Sequence, residues 1–172
     1  LAKDTPAIRS LINPRQTSAI SYSSSRLNAS SSEDAVFKCG PAAGTVLSNV
    51  PLVLLQETQS HSVYLSDQVR PGEFLILHFC ADGQVANEVV AATERLHASG
   101  VPVRLLPVIR SVSQSFNEVA LLDATGTAFT LYDAAGGATY VVRPDGHVAG
   151  RWRVPATAII EQSVRTILTM PN

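Results

Sequence analysis

The residues of this chain that could do chemistry are two cysteines, four histidines and a scatter of carboxylates. Cys80 is the first to weigh. It ends the apolar run 73–80 (EFLILHFC) and precedes a segment with helical spacing. A helix N-terminus stabilises a thiolate, so a sulfur in that place can be a nucleophile. Dithiol redox chemistry also needs a second sulfur at Cys-x-x-Cys. The sequence reads Cys80-Ala81-Asp82-Gly83, and Cys39 lies far back in a Ser-rich stretch. Asp82 would raise a thiol pKa, not lower it. Cys80 is expected to be an inert, mostly buried sulfur. A one-thiol redox role is the alternative.

The remaining types combine into no site. His61, His78, His97 and His147 show neither His-x3-His nor His-Glu-x-x-His spacing, so no metal is expected. His78 lies inside the run 73–80 and reads as a satisfied core histidine; His97 reads as solvent-facing. The carboxylates fall singly in turns and on helix faces, with no pair set for glycoside hydrolysis. Eight serines between residues 18 and 32 contain no Gly-x-Ser-x-Gly elbow. Gly136-Gly137 is a loop pair. No Gly-x-Gly-x-x-Gly or phosphate-binding P-loop follows a strand, so no dinucleotide site is expected in this chain.

Composition narrows the classes further. At 172 residues and 45% hydrophobic, the chain can build one sizeable core. Thirteen basic against fourteen acidic residues leave a net charge of −1, which argues against a nucleic-acid groove or a polybasic membrane anchor. No stretch approaches the ~20 apolar residues of a membrane span. Charged residues make up only 16%, which fits a surface partly hidden against another domain or subunit. The opening Leu1, with no signal-like character, reads as the start of a trimmed piece of a longer chain.

The elements that must position these residues follow from periodicity. Residues 1–12 read as a short amphipathic helix, the end of a preceding domain, and 13–49 as a linker or surface strap. Residues 50–172 read as one domain. It opens with strands at 51–55 and 61–65. A buried strand at 73–80, a helix at 84–98 and a second buried strand at 101–109 form a βαβ unit with parallel strands. Residues 113–122 read as holding a turn of helix, and 127–132 as a short helix. Strands at 139–143 and 147–151 flank Pro144-Asp145-Gly146, a hairpin turn with a mechanism: Pro presets φ, Asp accepts a local hydrogen bond and Gly takes φ > 0. A last helix covers 155–170, with Ile159, Ile160, Val164, Ile167 and Leu168 inward. The order ββ, βαβ, helix, hairpin, helix predicts an α/β, thioredoxin-like mixed sheet flanked by helices and preceded by a Ser-rich extended strap.

One stretch is more specific than hairpin chemistry. Val142-Arg143-Pro144-Asp145-Gly146-His147-Val148-Ala149, with Arg151 close behind, resembles the closing signature of FAD-dependent aromatic-ring hydroxylases of the phenol-hydroxylase type. Other pieces resemble that family in the same order: Tyr22 through Leu27-Asn28, Gly40-Pro41-Ala42-Ala43-Gly44 through Pro51-Leu52, and Arg70-Pro71-Gly72. The likeness runs from about residue 13 to 152. Gly150 departs from it, standing where the family often has Trp.

The resemblance implies the C-terminal, thioredoxin-like domain of a flavoprotein monooxygenase, without its redox cysteines. It implies a cytoplasmic parent that uses FAD and NAD(P)H to hydroxylate a phenolic ring, while this piece holds no cofactor and no catalytic residue. Arg143, Pro144, Asp145 and Gly146 are then a family-signature hairpin. The expected partners are the upstream FAD and substrate domains of the same polypeptide and a second copy in a homodimer, with no nucleic acid and no membrane. Two alternatives stand beside this one. The first is a peroxiredoxin or one-cysteine thioredoxin-like protein using Cys80, although Pro71 precedes that residue with no Thr between. The second is a binding module using its sheet edge or strap.

Overall fold

The computed structural model describes residues 21–56, 59–111 and 119–169. The helix expected over 1–12 lies outside them. Seven strands form one mixed sheet: β1 (Pro51–Gln56), β2 (Gln59–Tyr64), β3 (Phe74–Phe79), β4 (Val103–Ile109), β5 (Ala120–Leu122), β6 (Ala138–Val142) and β7 (Val148–Trp152). Among the described residues three α-helices accompany it: α1 (Asn87–Ala98), α2 (Thr127–Leu131) and α3 (Thr157–Leu168). The strand order is β2-β1-β5-β4-β3-β6-β7. β3, β4 and β5 run parallel to one another; every other pairing is antiparallel. The mixed sheet and its β3-α1-β4 unit agree with the architecture read from the sequence.

β3 is buried along its whole length because both faces of the sheet are covered. Phe74 and Ile76 face α1 and α3, joining Val89, Leu96, Ile160, Val164 and Trp152. Leu75, Leu77 and Phe79 face the other way, into a cluster with Phe129, Tyr132, Tyr140 and Phe37. Phe79 sits among three aromatic rings there, with centroids 5.1 to 5.9 Å away. Phe129 and Tyr140 meet it edge-on, a geometry that adds to the burial energy.

The turn of helix read within 113–122 falls mostly outside the described residues; at the end of that stretch Ala120–Leu122 is strand and fills the gap between β1 and β4. Three residues carry no period of their own; the bare edges on both sides decide their conformation. Helix α1 starts at Asn87 rather than 84, because Asp82 accepts the Gln84 N–H (3.1 Å) and holds a turn ahead of the helix.

Residues 21–49 lie along the outer edge of β7. Ala29 N–H donates to Ala149 O (2.7 Å), Glu33 N–H to Arg151 O (2.9 Å), and Gly44 N–H to Val148 O (2.8 Å). Val46 bridges His147. The β6–β7 register slips between Val141 and Val142, and the extra residue this creates on β7, Ala149, turns its carbonyl to the strap.

Candidate functional site

A reactive thiol would belong where β3 ends and α1 begins. Cys80 stands there but faces inward. It is 2% exposed and packs with Ile109 and Ala120. Its S–H points at the His78 carbonyl (3.5 Å). Burial pushes the thiol up to about 12, and the Asp82 charge adds to the rise. At neutral pH the sulfur is a thiol. Cys39, the other sulfur, is exposed on the strap and no disulfide forms.

Beside this strand end is a cleft of about 400 Å³ lined by His78, Asp82, Gln84, Asn87, Gly137 and Arg153 among others. Its one imidazole is fully engaged. Ala86 N–H donates to His78 Nε2 (3.3 Å), which puts the ring proton on Nδ1, within 2.9 Å of the Thr139 hydroxyl. Burial lowers the His78 pKa, and Asp82 only partly offsets this. His78 is a neutral, satisfied core residue that ties the start of α1 to β6. His61 is exposed on β2, and His97 is exposed on α1, where its ring also bonds to the Val103 carbonyl. Among the described residues no three His, Cys, Asp or Glu side chains gather for a metal. Nor is any described helix long and apolar enough to cross a membrane.

The Arg143–Gly146 hairpin is built as a lock. Gly146 takes φ +83° and donates to the Arg143 carbonyl (2.9 Å). Asp145 accepts from Arg143 Nε (3.2 Å) and Nη2 and from His147 N–H (3.1 Å). Partial burial pushes the Asp145 carboxyl up, but these donors outweigh it and hold the group below the usual carboxylate range. Tyr22 of the strap packs edge-on against His147 at 5.4 Å. Residues 143–146 therefore shape a turn, and His147 beside them seats the strap.

Sequence reasoning missed the neighbouring cluster. Arg151, 4% exposed, donates from Nε to Asp34 Oδ1 (2.6 Å) and from Nη1 to the carbonyls of Cys39 (2.8 Å) and Gly40 (3.1 Å). Two residues on, Arg153 reaches Asp133, whose carboxylate also takes the Lys38 N–H (2.8 Å). That backbone bond, with Arg153 beside it, lowers the Asp133 pKa. Both guanidinium groups lie over the Phe37 ring, at 4.6 and 4.0 Å. Trp152 donates from Nε1 to Ser31 O (2.7 Å). The alternation Arg-Trp-Arg was the signal: on a strand, positions 151 and 153 share one face and 152 takes the other. Gly150 leaves no room for a side chain, since a Cβ built there would stand 2.6 Å from the Trp152 indole and 2.9 Å from Ala29.

Fold and strand-end geometry together define a thioredoxin-like domain whose sulfur at the end of β3 is buried. No family model matches the chain, and no curated protein does. Solved structures do match. AhpC of Mycobacterium tuberculosis is similar with a TM-score of 0.59 at 11% identity, over 76% of this chain and 94% of that one. Thioredoxin peroxidase I of Plasmodium yoelii follows at 0.53 and 14%, over 71% and 86%. The flavin-dependent monooxygenase PieE, solved with FAD and substrate, matches at 0.51 and 23%, over 76% of this chain; the chain spans 20% of PieE's length. These are likenesses of fold.

Proposed function

We propose that this chain is the non-catalytic C-terminal domain of a FAD-dependent aromatic-ring hydroxylase. It packs against the FAD and substrate domains of the same polypeptide and contributes homodimer contacts. The observation that carries this reading is the state of Cys80: buried, facing a carbonyl, and pushed up to about 12. A buried thiol of raised pKa is a poor nucleophile, which argues against thiol chemistry at the end of β3. The hairpin resemblance and the match of most of this chain to a fifth of PieE support the choice of parent. FAD and NAD(P)H belong to the parent. A flavin pyrophosphate wants a glycine loop that opens a helix, and Gly136-Gly137 runs straight into strand β6. The chain's own residues therefore serve packing.

A second reading has its own support. AhpC and thioredoxin peroxidase I match over nearly their whole lengths, and Cys80 sits between β3 and α1. Under that reading Cys80 is oxidised by a peroxide and regenerated by an external thiol. One preparation separates the two. The purified chain is given hydrogen peroxide with a thiol reductant, and separately FAD. The domain reading expects no peroxide consumption beyond the Cys80→Ser variant and no bound flavin. Turnover lost on that substitution would install the redox reading. Sequencing the transcript upstream of Leu1 tests the parent: a Gly-x-Gly-x-x-Gly strand-turn-helix is expected, and a start codon there would overturn it.

A further inference from the structure

The two edges of the sheet are treated differently. The strap covers β7 on one side, while β2 on the other carries no neighbour among the described residues. Natural edge strands are guarded by charge, proline, bulges or a covering segment. Gln59-Ser60-His61-Ser62-Val63-Tyr64 contains no Lys, Arg, Asp, Glu or Pro, and its pairing with β1 has no bulge.

The register says which groups are open. Leu65 N–H donates to Val50 O (3.0 Å), and bonded pairs alternate along an antiparallel ladder. With Pro51 opposite Tyr64, the bonded pairs are Val63 with Leu52, His61 with Leu54, and Gln59 with Gln56. The backbone N–H and C=O of Ser60, Ser62 and Tyr64 therefore point away from the sheet. Asp67 takes the Tyr64 N–H (3.1 Å), which closes that end. Ser60 and Ser62 are left, each with one donor and one acceptor directed outward and its side chain exposed.

We propose that β2 pairs antiparallel with β2 of a second copy about a two-fold axis at His61. Ser60 then exchanges two hydrogen bonds with the partner copy's Ser62, and Ser62 with the partner copy's Ser60. The occupant follows from complementarity. Two donors and two acceptors spaced evenly about one residue are matched by their own two-fold image, and β2 holds no Lys, Arg, Asp or Glu to set against its own copy; the two His61 side chains meet at the axis. The result is a continuous fourteen-stranded sheet held by a small interface, so the equilibrium depends on concentration. The proposal rests on the homodimer part of the proposed function and not on the identity of the parent.

The test is sedimentation equilibrium of the chain and two variants. Ser62→Pro removes an outward N–H while sparing every bond to β1; Ser62→Lys places like charges beside the axis. The wild type is expected to approach twice 18.3 kDa as concentration rises. Each variant should weaken dimerisation by at least about tenfold, with an unchanged far-UV spectrum. If Ser62→Pro unfolds, Ser62→Lys decides. A wild type that stays at 18.3 kDa up to millimolar concentration overturns the proposal, as does a dimer that survives Ser62→Lys. Neither result bears on peroxide turnover or on the upstream sequence, so this proposal and the domain reading fail separately.

Discussion

Replacing Arg151 by Ala removes the side chain that holds the strap to the sheet. Its Nε bond to Asp34 is short, but Asp34 is 38% exposed and water replaces much of that partner, so this part is worth about 1 kcal/mol. The carbonyls of Cys39 and Gly40 lose a charged donor, at about 1 kcal/mol each after partial resolvation. Loss of the stacking on Phe37 adds about 0.5 kcal/mol. The expected destabilisation is about 3 to 4 kcal/mol, or roughly 10 °C in Tm for a chain of this size. Urea unfolding followed by tryptophan fluorescence measures it, because Trp152 is the only tryptophan, is fully buried and bonds to the strap. Arg151→Lys, which keeps the charge but cannot reach all three acceptors, should lose about half as much. A double-mutant cycle with Asp34→Ala should return a coupling of about 1 kcal/mol. A loss below about 1 kcal/mol for Arg151→Ala would refute the idea that this guanidinium anchors the strap.

Other outcomes follow from the same geometry. A thiol reagent should modify Cys39 quickly in the native chain and Cys80 only in denaturant, read by mass spectrometry; rapid labelling of both would contradict the burial of Cys80. Folding raises the Cys80 pKa from 9.0 to about 12, so the folded state holds its proton more tightly. That contribution is complete below pH 9 and is lost between pH 9 and 12, at up to about 1.4 kcal/mol per pH unit. Tyr140, raised to about 12 by burial, steepens the fall above its ordinary value of 10. Cys80→Ala should flatten the onset near pH 9 in denaturant titrations. Gly150→Ala should cost about 1 to 3 kcal/mol by crowding Trp152 and Ala29, and a neutral result would contradict that packing.

How much of this was legible depends on where each signal lies. The run EFLILHFC announced a doubly covered strand because both of its faces are apolar. Val89, Ala92 and Leu96 announced α1 by spacing, and Pro144-Asp145-Gly146 announced the hairpin by turn chemistry. β5 was hidden, since three residues have no period and its conformation comes from β1 and β4. The attachment of residues 21–49 to β7 was not readable. That segment is held by backbone bonds and by arginines more than a hundred residues away, and neither leaves a local pattern. His78 was readable as a satisfied core residue; its partners Thr139 and Ala86 were not.

The covered edge of β7 also decides where the folding unit can be cut. Ending the polypeptide on its N-terminal side at residue 50 would strip the partners from Val148, Ala149 and Arg151, leave a buried guanidinium without its anion, and lay a raw hydrophobic strand open to sticky association. The piece that begins at the first strand is thus smaller than the piece that can stand alone. A protease that nicks within 21–49 should release two fragments that stay together until denatured.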